Sequence, residues 1–239
     1  MEVTTEGIVL RRLPYTDSAS ILTVYTRKFG TTAFMARGIS KKGGPVSKSA
    51  LAPLTPVEAV CTFKENREMQ TLRGLRARNG LTFFGESPQK AAVAMFLAEV
   101  LFKTLREEAP DEELFDFTDG AVAYFLKTPF EAHFHLVFLM HLTRYFGFFP
   151  SGKYGPESPY FDLTEGSFTD RPPREGEGLD PERAAGFYGL CMTRFGEKPS
   201  GLDNARRRRL LADLMHYYHL HLEGMGKIKS LDVLTEVFS

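Results

Sequence analysis

The chain changes its hydrophobic period once, about a third of the way along. Before that point the period is two. Val57, Ala59, Cys61 and Phe63 alternate with Glu58, Val60, Thr62 and Lys64, which predicts a half-buried strand. Residues 8–12, 19–27 and 31–36 are apolar or β-branched runs, and residues 68–75 form a fifth. Turn signals separate them: Pro14-Tyr15-Thr16-Asp17, Lys28-Phe29-Gly30 and Glu65-Asn66-Arg67. Five short strands within about eighty residues predict a small closed or nearly closed barrel.

Near Asn79-Gly80 the pattern turns helical and stays so. Ser87-Pro88 reads as an N-cap followed by Pro at the first helical position. Ala91, Met95, Ala98, Leu101, Phe102 and Leu105 then predict one buried face, ending before Pro110. A second helix is expected over 111–127, its first acids complementing the helix dipole. Residues 131–146 are apolar almost all round, which predicts a central buried helix with Gly147 as its C-cap. Residues 150–180 are rich in Gly and Pro, with a short hairpin expected from 160–163 and 166–169. Helices resume over 181–195 and 203–223, and a last one over 230–238 turns Leu231, Leu234 and Val237 inward. The expected architecture is α+β: a five-stranded barrel domain over 1–80, then an all-helical domain over 81–239 with a loop-rich insertion.

Composition adds one fact to this division. Over 239 residues, 30 Lys or Arg balance 30 Asp or Glu, but residues 1–78 hold 13 of the former and 6 of the latter, a net of +7. The remainder therefore carries −7. The first third suits phosphate, and the rest suits a different partner. Apolar residues at 43% and charged residues at 25% describe an ordinary globular protein. Met1-Glu2-Val3-Thr4-Thr5-Glu6 lacks a basic segment followed by an apolar one, and residues 134–149 are too short and too often interrupted to span a bilayer. Two cysteines, Cys61 and Cys191, far apart in sequence, are expected to be buried small hydrophobes of a cytoplasmic chain.

The densest candidate chemistry is the segment after the third strand, Arg37-Gly38-Ile39-Ser40-Lys41-Lys42-Gly43-Gly44-Pro45-Val46-Ser47-Lys48. Cations on a Gly-rich loop beside a sheet suit a polyanion, and a solvated hairpin loop is the plainer reading. Among five-stranded barrels the oligonucleotide-binding (OB) fold is the commonest host for single strands. Tyr15, Tyr25, Phe34 and Phe63 are candidate stacking platforms, each equally suited to a barrel core. Arg206, Arg207, Arg208 and Arg209 form a second run, suited to a solvated helix face or to a patch for phosphate or an acidic peptide. His216 and His219 share a helical face without acidic partners at ligand spacing, so no metal site is expected. No phosphate-binding Gly-Lys loop, dinucleotide fingerprint or nucleophile elbow is present, and nothing in the residues argues for catalysis.

These residues also resemble a known family. Gly7-Ile8-Val9-Leu10-Arg11, Tyr15-Thr16-Asp17-Ser18-Ala19-Ser20-Ile21-Leu22-Thr23, Phe29-Gly30, Ala36-Arg37-Gly38 and Lys48-Ser49-Ala50-Leu51 are similar to the opening of the bacterial DNA-repair family RecO. Lys227-Ile228-Lys229-Ser230-Leu231-Asp232-Val233-Leu234 looks like its C-terminal segment. The resemblance runs in order along the whole chain. It implies an N-terminal OB-fold barrel and a helical domain. It also implies a recombination mediator that binds single- and double-stranded DNA, anneals complementary strands, and works with RecR to load RecA. The acidic tail of the single-stranded-DNA-binding protein SSB is then expected to dock on the helical domain.

Many members of that family carry a four-cysteine zinc motif after the central helix. Here only Cys191 lies between Tyr154 and Phe195, so the loop-rich segment is expected to be zinc-free and held by Tyr160, Phe161 and Phe168. The expectation is thus a non-catalytic, cofactor-free protein of the cytoplasm and nucleoid, with no membrane segment and no small-molecule substrate. Arg11, Arg12, Arg37, Lys41, Lys42, Lys48 and Arg73 are the candidate DNA contacts, and Arg206, Arg207, Arg208 and Arg209 the candidate tail contacts by charge. The competing reading is an adaptor that docks the acidic SSB tail, its DNA affinity incidental.

Overall fold

The computed structural model describes residues 2–39, 44–78, 87–105 and 109–238. The chain forms two compact units, one of Met1–Phe130 with Lys227–Ser239, the other of Glu131–Gly226.

The first unit is built on β1 (Glu2–Thr16), β2 (Ala19–Thr26), β3 (Gly30–Arg37), β4 (Pro56–Thr62) and β5 (Met69–Ala77). They close into a barrel in the order β1-β2-β3-β5-β4, with β3 and β5 parallel and the other pairs antiparallel. This is the closed five-stranded barrel that the alternation predicts, and the OB-fold barrel that the resemblance implies. β1 is longer than the 8–12 run expected from the sequence, because it serves two neighbours. Glu2–Ile8 pairs with β4 while Gly7–Thr16 pairs with β2. Thr4, Thr5 and Glu6 have no apolar alternation to announce them, and the ladder holds them through the backbone. Gly7 lies where both ladders overlap; a Cβ there would stand 2.6 Å from Val24 Cγ1. Val9, Leu22, Val24, Phe34, Ala59 and Leu75 fill the interior.

Three helices complete this unit: α1 (Pro88–Thr104), α2 (Glu112–Lys127) and α6 (Ser230–Val237), the last returning from the end of the chain. Ser87 accepts the Lys90 amide at 3.2 Å and Asp111 the Leu114 amide at 2.9 Å, two orphan donors satisfied at helix starts. The buried side of α1 matches the expected one only in part. Ala98, Leu101 and Leu105 are inside as expected, together with Val93, Phe96, Leu97 and Val100, whereas Ala91 is exposed and Met95 is 46% exposed. The helix is apolar on most sides, so periodicity does not single out the covered stripe. In α6 Leu234 is buried, with Leu231 and Val237 half-buried beside it as expected. The Glu99 carboxylate of α1 caps α6, accepting from the Lys229 amide at 3.0 Å and the Ser230 amide at 2.7 Å. Packing thus cuts the chain elsewhere than the change of hydrophobic period, because α1, α2 and α6 cluster with the barrel.

In the second unit, α3 (Phe134–Leu142) is buried at every position except His141, as its all-round apolar sequence predicts. The helix is shorter than the expected 131–146 and is capped by Thr143, so Gly147, left-handed at φ 79°, closes the turns that follow and is not its C-cap. β6 (Tyr160–Asp162) and β7 (Ser167–Thr169) form the expected hairpin, and β8 (Gly178–Leu179) adds a third strand that two residues could not announce. α4 (Pro181–Met192) and α5 (Asn204–His221) complete it. Phe161 is fully buried, its ring 4.8 Å from Phe168, 4.9 Å from Phe187 and 5.6 Å from Tyr217.

Candidate nucleic-acid interface

One end of the barrel gathers the cationic candidates, and it does so through backbone irregularities. Beyond Ile8, β1 has no β4 neighbour and pairs with β2 alone, from Arg11 opposite Thr23 to Thr16 opposite Ala19. Two register shifts interrupt that ladder, leaving Leu10 and Tyr15 as the extra residues. A third, between β4 and β5, leaves Arg73 as the extra residue. Such bulges twist a strand and re-aim the side chain they release.

The outer surface of β1, β2, β3 and β5 carries two neighbouring rungs. One runs Leu13, Ile21, Met35, Thr71; the other runs Arg11, Thr23, Ala33, Met69. Leu13 is 41% and Met69 38% exposed, so the middle of this surface is apolar and open. Cations border it. Arg37 ends β3 opposite Ala19, and exposed Arg12 donates from Nε to Ser20 Oγ at 3.1 Å. Exposed Arg11 lays its guanidinium over the Phe102 ring of α1, 4.9 Å from its centroid. Arg73 is exposed and turns toward β4, its Nε 3.3 Å from Thr62 Oγ1. Lys48 is exposed where the chain rejoins β5. Lys41 and Lys42 lie outside the described residues.

The feet of the loop that holds those lysines are fixed. The Gly38 amide donates to the Ser18 carbonyl at 2.9 Å, the Ser47 amide to the Leu75 carbonyl at 3.0 Å, and the Leu75 amide to the Pro45 carbonyl at 2.9 Å. The described residues on either side, Gly38 before and Pro45 to Ser47 after, are therefore fastened to the β1–β2 turn and to β5.

Not every barrel cation is available. Arg27 pairs with Glu6 at 3.0 Å and with Asp116 of α2 at 2.5 Å, and Arg78 pairs with both Glu6 and Asp119. Burial pushes the Glu6 carboxyl up, but hydrogen bonds and charge from Arg78 and Arg27 outweigh it and hold its pKa below the ordinary value. These two arginines join barrel to helix. Of the four aromatic candidates, Phe34 and Tyr25 are buried, Phe63 stacks on Phe29 at 3.9 Å, and Tyr15 alone stands open at 66% exposure.

The arginine run of α5 is not one patch. Arg206 reaches Glu182 at 3.4 Å and the Gly201 carbonyl at 2.9 Å, and Arg207 is half-buried with a hydrogen bond to Asn204 Oδ1 at 2.8 Å. Arg208 and Arg209 are exposed. Arg206 and Arg209 line a groove of about 740 Å³ between α4 and α5, with Tyr188, Met192, Leu202 and Leu210. Met192 is 64% exposed there, and the wall pair Arg183–Asp213 is closed on itself. The sequence shows the charges of this groove and not its apolar half, because Met192 lies off the buried stripe of α4 (Ala184, Phe187, Leu190) and Leu202 lies outside the helices.

A four-thiolate zinc does not fit the second unit. Cys191 is buried with its sulfur 3.6 Å from Met140 Sδ, and burial pushes its thiol up to about 12. The packing of Phe161 and Phe168 occupies the segment instead. Among the described residues no group of three or more His, Cys, Asp or Glu is placed to hold a metal, and no helix is long and apolar enough to cross a membrane.

Comparison with known proteins agrees with this architecture. The family described as Recombination protein O N terminal matches residues 1–80, and Recombination protein O C terminal matches residues 85–156. The chain is 32% identical to the DNA repair protein RecO of Bacteroides fragilis, over 98% of both chains. It is 32% identical to the DNA repair protein RecO of Christiangramia forsetii over the full length of both, and 30% identical to that of Phocaeicola vulgatus over 98% of both. The chain belongs to the RecO family of DNA repair proteins.

Proposed function

We propose that this protein is a recombination mediator without catalytic activity, working in the cytoplasm on the nucleoid. Its barrel, residues 1–80, is the nucleic-acid-binding domain. It binds single- and double-stranded DNA, anneals complementary strands, and with RecR helps load RecA onto SSB-coated DNA. The observation that carries this reading is the bordered surface of the barrel. Exposed Arg11, Arg12, Arg37, Lys48 and Arg73 surround an open apolar centre, in a chain whose relatives are DNA repair proteins. Cations on that border neutralise phosphates and release counterions, which gives affinity with little regard to sequence. Two strands held with their repulsion screened and their bases accessible can pair.

Fluorescence anisotropy of a labelled single strand, titrated at several salt concentrations, tests the reading. Each neutralised phosphate contributes about −0.7 to the slope of log affinity against log salt. A slope worth several phosphates, indifferent to sequence and reduced in Lys41→Ala/Lys42→Ala/Lys48→Ala, is expected. Absence of binding at low salt overturns it.

The groove between α4 and α5 supports the partner half of the reading. Arg206 and Arg209 beside Met192 and Leu202 suit an acidic peptide with an apolar end, the chemistry of the SSB tail. If the protein were an adaptor alone, the tail peptide would bind, annealing would be absent, and removing the barrel's charges would change nothing.

A further inference from the structure

We propose that Tyr15 is a base-stacking platform that makes the barrel distinguish unpaired bases from duplex; this rests on the reading that the barrel binds DNA. Three observations converge on it. Tyr15 is the extra residue of a bulge in β1, between Pro14 opposite Ser20 and Thr16 opposite Ala19. Its ring is 66% exposed, the most exposed large hydrophobic side chain among the described residues. No hydrogen bond or ring contact ties it to another described residue. Aromatic side chains are normally covered, and a bulge that aims one into solvent opposes burial.

Its surroundings select the ligand. Ala19, the ladder partner of the adjacent Thr16, is itself paired with Arg37, and Arg12 lies three residues from Tyr15 on the same strand. Leu13 extends the open apolar surface inward from the tip. A flat ring with cations beside it matches one base and its flanking phosphates. In a duplex both faces of every base are already stacked, so only an unpaired or splayed base can take the ring. The phosphate contacts do not make this distinction, because both forms carry phosphate. Tyr15 therefore adds affinity for single strands alone, and adds it without changing the number of counterions released.

The test uses the full chain. Tyr15→Ala should lower affinity for a labelled single strand of mixed sequence by about 5-fold or more, since one base–aromatic stack is worth at least that. The salt slope and the duplex affinity should stay as in the parent, and Tyr15→Phe should restore binding. The chain has no tryptophan, so Tyr15→Trp installs a single reporter. A bound single strand should quench its fluorescence and a duplex should not. Equal loss on single strand and duplex, or an unquenched tryptophan while anisotropy records binding, overturns the platform and leaves the DNA reading intact. A parent protein that fails to bind a single strand at low salt overturns both.

Discussion

The Gly38 amide donates to the Ser18 carbonyl at 2.9 Å, and so fastens the exit of β3 to the β1–β2 turn, three residues after Tyr15. Gly38 holds a φ of 74°, a left-handed conformation that costs an L-residue about 1–2 kcal/mol. Gly38→Val should lower unfolding free energy by about that amount or more in urea titrations, valine being β-branched. Single-strand affinity should fall as well, because the basic loop loses its fixed foot. An unchanged urea midpoint would contradict the role given to this residue.

Charge removal should act by position. Arg37→Ala with Arg73→Ala should flatten the salt slope by up to about 1.4, two phosphates at about 0.7 each. Lys64 and Arg67 lie in the β4–β5 loop, at the opposite end of the barrel from Arg37, and replacing both by Ala should leave the slope unchanged. Anisotropy titrations on one labelled strand compare the two pairs directly.

The α5 arginines should separate in the same way. Arg209 lines the α4–α5 groove and Arg208 does not. Arg209→Ala should weaken an SSB-tail peptide by about 0.5–1 kcal/mol, the ordinary worth of a solvent-facing ion pair, and Met192→Asp should weaken it further by placing an acid at the apolar end. Arg208→Ala should have no effect in calorimetric titration. Equal losses from both arginines would mean that the peptide reads overall charge and does not use the groove.

Acid should destabilise the second unit through His135. Its imidazole is fully enclosed, and burial, followed by the charges of Arg207 and His133, lowers its pKa to about 3. In the unfolded chain the group takes up its proton near pH 6.5. Between those values the unfolded state binds a proton that the folded state refuses, so stability is full above about 6.5 and falls as pH drops toward 3. The slope reaches up to about 1.4 kcal/mol per pH unit. Melting curves from pH 7 to pH 4 should therefore be less steep for His135→Phe than for the parent, whatever the variant costs at neutral pH.

Much of this is legible in the sequence. The alternation of Val57, Ala59, Cys61 and Phe63 marks a barrel strand, and Ser87-Pro88 marks the start of α1, because each depends on neighbours within a few residues. The excess of cations in the first 78 residues was equally plain. Periodicity fails where a segment is apolar on several sides, so the pattern puts Ala91 and Met95 of α1 inside where the structure has them exposed.

The sequence by itself determined which side chains could carry charge or a ring, and which runs could form strands and helices. Tertiary structure alone decided which of them are free. Arg27 and Arg78 look no different in sequence from Arg37 and Arg73, yet the first two are held by Glu6, Asp116 and Asp119. Arg78 and Glu6 stand 72 residues apart, beyond the reach of any local pattern. Tyr15 and Phe34 are likewise both strand aromatics, and one is open while the other is core. The reason is the register: strand parity assigns faces only until a bulge resets it, and a bulge exists only once two strands have paired.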